Sequence, residues 1–368
     1  MALTNFAALT NEEKTTWSRD LWKAARNNSF MNRFMGTGNN SMIQRITELT
    51  KSEKGARAVI TLVADLEGDG IAGDRTLEGN EEAGKSYDIV IQLDQLRHAT
   101  RHEGRMADQR SIINFRETGR DNLAYWLADR VDQLAFLTLS GVDYSQKLNG
   151  PARVGSDFIN LDFAADVSAP TSDRILTWDG TLKDFSHASN ADLVAGDTPS
   201  WRMLVEAKAY AKDNFVRPIR GENGMEVYNV FMTPQGIAKL KADPDFMNAW
   251  KDALPRSANN PLFKGAPVIY VDGLAIYEFR HVYNTKGLAD GSKWGGGSID
   301  GQRVLMCGTQ AMAFADIGSP EWVEKMFDYD NQQAISTGKI IGMRKPVFRS
   351  QISGTDQDFG VIAIDTAI

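Results

Sequence analysis

The sequence predicts an α+β protein whose strands pair across long stretches of chain. Three observations predict it. Two strand-like runs, 56–64 and 87–93, flank a long polar loop, and a helical segment follows as far as Ser140. Two helix starts are written out in Ser200-Trp201 and Thr233-Pro234, with the apolar run 227–232 between them. Asp272-Gly273 separates two alternating apolar runs, 267–271 and 274–279, which is a strong hairpin signal.

Composition sets the bounds. The chain has 368 residues, 42 % hydrophobic and 24 % charged, enough for more than one core. No apolar run approaches the ~20 residues that span a bilayer, so no membrane partner is expected. The N-terminus, Met1-Ala2-Leu3-Thr4-Asn5, lacks the layout of a secretion signal. The single cysteine, Cys307, allows no intrachain disulfide and fits synthesis in a reducing compartment. A net charge of −7 argues against avid non-specific binding of nucleic acid.

Residues 1–54 read as an arm. Thr10 and Glu13 form a capping box, and the helix it opens sets Trp17, Leu21, Trp22 and Ala25 on one face. Phe30, Met31, Phe34 and Met35 follow, then the loop Gly36-Thr37-Gly38-Asn39-Asn40. So many large apolar groups on a terminal segment imply docking, in the same chain or another.

Residues 55–96 read as an extended hairpin. Its loop holds Asp65, Glu67, Asp69, Asp74, Glu78, Glu81 and Glu82, interleaved with Gly68, Gly70, Gly73, Gly79 and Gly84. A hairpin this long and polar cannot bury its own tip and must project into solvent or onto another molecule. Residues 65–88 sum to −6, whereas 89–120, with Arg97, Arg101, Arg105, Arg110, Arg116 and Arg120, sum to +2. An acidic finger followed by an arginine-rich segment suits a repeated contact between copies; solvated faces are the plainer reading.

Residues 97–141 read as helical. Asp108 is placed to cap a first helix through Ile112, Ile113 and Phe115, and Gly119 to break or kink it. Leu123, Trp126, Leu127, Val131, Leu134 and Leu137 follow at helical spacing until Gly141. A single helix over 108–140 would span about 50 Å. Residues 142–200, rich in Asp, Ser, Thr, Gly and Pro with isolated aromatics, read as an ordered surface excursion. In 201–226 the Ser200-capped helix sets Met203, Leu204, Ala207 and Tyr210 or Ala211 along one face. Block 227–330 holds the 227–232 strand, a helix carrying Ile237, Ala238 and Leu240, the Asp272-Gly273 hairpin and short strands at 303–307 and 311–315. Block 331–368 closes with strands at 339–343 and 359–364.

Motifs for chemistry do not hold together. Gly79-Asn80-Glu81-Glu82-Ala83-Gly84-Lys85-Ser86 matches the phosphate-binding pattern of nucleotide hydrolases. That motif needs a buried strand before it and a helix after it, and Tyr87 onward alternates like a strand. A P-loop nucleotide-binding enzyme is therefore the lesser alternative. Asp65-Leu66-Glu67-Gly68-Asp69-Gly70 opens like a calcium loop, but its twelfth position is Thr76 rather than Glu. His98 and His102 would share a helix face with no third ligand in view, and His187 and His281 stand alone. Cys307 reads as a buried structural thiol. No Gly-x-Ser-x-Gly elbow occurs, and the glycines at 36/38 and 295–297 lack a βαβ setting. No catalytic, cofactor-binding or metal residue is assigned.

The ordered set of elements resembles the major capsid proteins of tailed bacteriophages, a fold shared with herpesvirus capsid floors. Thr76-Leu77-Glu78-Gly79 followed by 87–96 looks like the descending limb of their extended loop. Residues 121–132, running on to Leu139-Ser140-Gly141, look like the spine helix and its exit. Residues 228–236 are similar to their strand–proline–helix step, 260–265 with the Asp272-Gly273 hairpin to their axial domain, and 304–311 to a late strand and turn. The resemblance spans about Thr10 to Ile364 and implies an N-terminal arm, an extended two-stranded loop, a spine helix, a peripheral domain and an axial domain (227–330), with 331–368 returning to the peripheral one. It implies a non-enzymatic subunit of an icosahedral head in the virion, made in the host bacterial cytoplasm. Its implied partners are its own copies in hexamers and pentamers, a portal, a separate scaffold or decoration protein, and double-stranded DNA held only by weak non-specific contact. Residues 142–200 exceed a minimal subunit and suggest an outer insertion; the missing coiled-coil prefix implies a separate scaffold or none. Expected contact residues are Trp17, Leu21, Trp22, Phe30 and Phe34 on the arm, Asp65, Glu67, Asp69, Ile71, Leu77, Glu78, Glu81, Glu82 and Tyr87 on the loop, and Arg97, Arg101, Arg105, Arg110 and Arg116 facing a neighbour's acids.

Overall fold

The computed structural model describes residues 11–47, 57–63, 70–73, 75–79, 81–82, 86–110, 114–221, 224–253, 268–350 and 353–368. The chain opens with α1 (Asn11–Asn28), two short strands β1 (Met35–Gly36) and β2 (Ile43–Ile46), and a hairpin of β3 (Arg57–Val63) with β4 (Ser86–Gln92). Then come β5 (Asp94–Arg101), α2 (Arg105–Arg110) and the long α3 (Phe115–Ser140). Short 3₁₀ turns lead to β6 (Ile175–Thr177), α4 (Trp201–Asp213), β7 (Ile219–Arg220), β8 (Glu226–Met232), α5 (Pro234–Ala242) and α6 (Pro244–Ala253). The remainder is strand: β9 (Val268–Val271), β10 (Leu274–Glu278), β11 (Gly301–Cys307), β12 (Met312–Phe327), β13 (Gln332–Arg344), β14 (Val347–Arg349), β15 (Asp356–Asp358) and β16 (Val361–Ala367). No helix among the described residues is long and apolar enough to cross a membrane.

Two large sheets organise the described residues, beside the two-stranded pairs β3-β4 and β14-β15. One runs β1-β2-β12-β13-β5; the other runs β6-β16-β11-β8-β10-β9, with β7 paired to β8. β11 and β16 are buried at every position, as strands inside a covered sheet must be. The Asp272-Gly273 turn has φ of 48° and 71°, the doubly left-handed geometry its sequence demands. The sheets do not follow the sequence blocks. β13 belongs to the first sheet, whereas β16 sits between β6 and β11 in the second. The expected return block 331–368 is thus divided between them.

α3 lies at the centre. Asn114 caps it by accepting the Arg116 N–H, and Gly141 ends it at φ 63°. Its last seven residues, Leu134 to Ser140, are buried on every side. Two expectations need correction here. Asp108 lies inside α2, and the long helix starts afresh at Phe115, so its length is about 39 Å rather than 50 Å. Gly119 does not break the helix. A Cβ there would sit 3.3 Å from Ile335 Cδ1 and 3.5 Å from Thr100 Cγ2, so the glycine lets α3 approach β13 and β5 closely.

β12 and β13 form a hairpin far longer than the sequence suggested. Only 311–315 and 339–343 stood out in the sequence as strands. The ladder instead passes through a register shift between Ile317 and Glu321 and continues to Phe327 opposite Gln332. The excursion 142–200 is irregular as expected but not merely superficial. Phe163 and Trp178 are buried, β6 pairs with β16, and the buried Arg174 donates to the Asp358 and Asn214 carbonyls at 2.8 and 2.9 Å. Isolated aromatics carry no periodicity, yet each buries enough area to hold a segment down.

Candidate functional site: the hairpin, the arm and the arginines

The hairpin is seated by its base on β12. β3 and β4 pair from Arg57 opposite Gln92 to Val63 opposite Ser86. Ala58 and Ile91 pack on Ala313, Ala315 and Ile317 of β12. Gly342 makes this approach possible: a Cβ there would fall 2.3 Å from the Gln92 carbonyl oxygen and 2.9 Å from Ile91 Cγ2. Arg344 Nη1 donates to the Val90 carbonyl at 2.6 Å, and the Gln92 N–H donates to Asp166 at 3.1 Å. Beyond the base, the described loop residues are exposed apart from the half-buried Ile71. Leu77 leaves 62 % of its surface in solvent. Glu78, Glu81 and Glu82 are exposed beside it, with Glu81 accepting the Gly79 N–H at 2.8 Å. Asp65, Glu67 and Asp69, and with them most of the calcium-like loop, lie outside the described residues, as does the Tyr87 side chain. The phosphate-loop pattern fails structurally: Ser86 begins a strand, so no helix N-terminus follows to hold a phosphate.

The arm docks inward. Leu21 and Ala25 are buried against the chain's own core, and Leu21, at 0 % exposure, offers a neighbour nothing. Its expected role as a contact residue is therefore corrected. Trp17 packs on Trp322 with ring centroids 5.6 Å apart, Phe30 stacks on Phe279 at 4.0 Å, and Phe34 meets Tyr277 edge-on at 4.9 Å. Trp22 covers the buried Lys339 of β13, which is paired with Asp316 and holds its Nζ 4.2 Å from the ring centroid. Asp132 of α3 fastens the turn after α1, accepting from Ser29 Oγ at 2.7 Å and from the Phe30 and Met31 N–H groups at 2.8 and 3.1 Å. Burial raises the Asp132 pKa, and those three donors oppose the rise.

The arginines divide. Arg97 and Arg110 are exposed, on β5 and at the end of α2. Arg101 lies over Phe327 at 5.5 Å, and Arg105 Nε donates to the Asp330 carbonyl at 3.1 Å. Arg116 is forked onto Glu324 within the chain at 3.1 and 2.9 Å. The histidine pair is not helical. His98 lies on β5, stacked on Trp126 at 4.6 Å, and His102 Nε2 accepts the Gln333 N–H at 3.0 Å.

Two histidines left isolated by the sequence have partners. His281 meets Asp129 at 2.8 Å, which with Arg130 and Arg280 holds the Asp129 pKa down at about 2. His187 Nε2 lies 3.1 Å from Asp197 and 3.9 Å from Asp179. Those carboxylates also accept N–H groups from Gly180, Thr181, Leu182 and Val194, so the trio ties the excursion together. Burial pushes the Cys307 thiol pKa up, as expected of a structural cysteine.

Known proteins resemble this chain over nearly its whole length. A family model described as phage capsid protein matches residues 5–368. The major capsid protein of Pseudomonas phage KPP25 is 58 % identical over 367 residues, covering 99 % of this chain and 97 % of that one. The capsid of Ralstonia phage GP4 superimposes with a TM-score of 0.75 at 28 % identity, covering 92 % of this chain and 91 % of that one. The cyanophage Pam1 capsid shares the fold, with a TM-score of 0.69 at 18 % identity over 100 % of this chain and 96 % of that one. With its central helix, its two sheets and a family match over nearly its whole length, the chain belongs to the phage capsid protein family.

Proposed function

We propose that this chain, a structural subunit of a phage shell, assembles as hexamers and pentamers into an icosahedral head around double-stranded DNA. One observation carries the reading: the β3–β4 hairpin is seated on its own sheet while its tip presents Leu77 and several acids to solvent. A strand pair built this way reaches over a neighbour and is reached over in turn. Such head-to-tail contacts close into rings. The obligate interface they form exceeds roughly 2,000 Å² and is apolar at its centre. Ile71 and Leu77 supply the apolar contact, and Glu78, Glu81 and Glu82 supply register more than affinity. The blocks 55–96, 97–141 and 227–330 serve as extended loop, spine and axial domain, and 142–200 as an insertion on the outer surface. A portal is a further partner, with a separate scaffold or decoration protein or none, and the acidic subunit keeps DNA from sticking to the wall. The work is association, not catalysis.

Deleting residues 66–84 tests this. The expected result is a subunit with the parental circular dichroism spectrum that yields no closed shells by negative-stain microscopy. Normal shells from the deletion variant would show that the loop is not the clamp.

A further inference from the structure

An open cleft of about 570 Å³ lies between α3, the 147–153 loop and the segment after β10. Arg130, Lys147, Arg153 and Arg280 line it, with Asp129 as the one carboxylate among its described lining residues. The guanidiniums are held close together. Arg130 Nη1 and Arg153 Nη2 both donate to the Gln133 Oε1, each at 3.0 Å, so two cations converge on one neutral acceptor. Asp129 is shared: Arg280 lies 3.0 Å away, His281 2.8 Å and Arg130 3.6 Å. Arg153 is fixed from behind, donating to the Gln146 carbonyl at 2.9 Å and lying over Phe158 at 4.9 Å. Burial and the repulsion of Arg130 both lower its pKa. Like charges gathered at this density are stabilised by an incoming anion.

We propose that this cleft receives the carboxylates of the two-stranded loop from a neighbouring copy of this chain. The assignment rests on the loop-as-clamp reading and names its receiver. Charge selects the occupant. The loop segment 65–88 sums to −6, and Glu78 and Glu81 stand exposed at its tip. The chain as a whole carries −7, which opposes a polyanionic duplex more than it opposes a short acidic tip. Of the arginines expected from sequence, Arg116 serves less well, since it is already forked onto Glu324.

A charge exchange tests the assignment. Arg130→Glu/Arg280→Glu reverses the cleft and spares Arg153; Glu78→Lys/Glu81→Lys reverses the tip. Each pair alone should lower the yield of sedimenting shells about tenfold or more, because like charges then meet. The four changes together should restore it to within a few-fold of the parent. A neutral pair, Arg130→Gln/Arg280→Gln, should give an intermediate loss and guards against a reversal that prevents folding, which circular dichroism detects. A fourfold variant as defective as the product of the two pairs overturns the proposal. Parental shell yield from both cleft variants, alongside failure of the 66–84 deletion, leaves the clamp and removes this receiver. Parental shell yield with lost retardation of a short DNA duplex in a gel assigns the cleft to phosphate instead.

Discussion

Arg303 offers the sharpest test of how the second sheet is held to the central helix. It lies on β11 directly opposite Asp365 of β16. Its Nε and Nη2 donate to the two carboxylate oxygens at 2.7 and 2.8 Å, and its Nη1 donates to the Ser140 carbonyl, on the last residue of α3, at 2.9 Å. Burial opposes the charge, but Asp365 more than offsets it and the guanidinium pKa ends above its ordinary value. Arg303→Met keeps the apolar stem and leaves Asp365, at 0 % exposure, without its cation. Removing one partner of such a pair costs about 3–5 kcal/mol, a large share of the roughly 5–15 kcal/mol that holds a domain folded. The assay is urea unfolding of the unassembled subunit, since assembly would mask the loss, with the slope expected unchanged. Asp365→Leu should be similarly costly. The double variant Arg303→Met/Asp365→Leu removes both charges and should be more stable than either single one. A single-variant loss under about 1 kcal/mol, or a double variant whose cost is the sum of the two, would refute the argument.

Leu21→Ala should destabilise the unassembled subunit by about 2–5 kcal/mol, because the side chain fills the chain's own core. Unchanged urea unfolding with fewer shells would instead point the arm outward. Gly119→Ala should stabilise by up to about 1 kcal/mol through helix propensity, since the nearest atom is the terminal methyl of Ile335; Gly119→Val should destabilise by overpacking. Thermal melts of both separate a close approach from a required kink, which would make Ala costly too. Asp129 has a native pKa of about 2 against an ordinary 3.8, so its contribution is present above about pH 4 and fades as pH falls through 2. Asp129→Asn should therefore lower the urea midpoint at pH 6 and differ little from the parent near pH 2. A gap that persists in acid contradicts the pairing with His281.

Local punctuation was legible in the chain and so, through the order of its elements, was the family resemblance. Ser200, Thr233-Pro234, Gly141 and Asp272-Gly273 start, stop or turn the backbone where they were expected to, because capping and left-handed turns depend on a few adjacent residues. The hairpin 57–63 with 86–92 was legible for the same reason, as its alternation is local. Long-range packing supplied what spacing cannot encode. Gly119 reads as a breaker until β13 is seen against it, and 311–315 and 339–343 read as short strands until the ladder is followed to Phe327 opposite Gln332. The arm's apolar face was evident, but only the positions of Trp322, Phe279 and Asp132 showed that its own chain receives it. The cationic cleft was invisible because Arg130, Arg153 and Arg280 lie far apart in the chain. Local pattern sets which segments form, whereas burial and charge convergence depend on where distant segments cross.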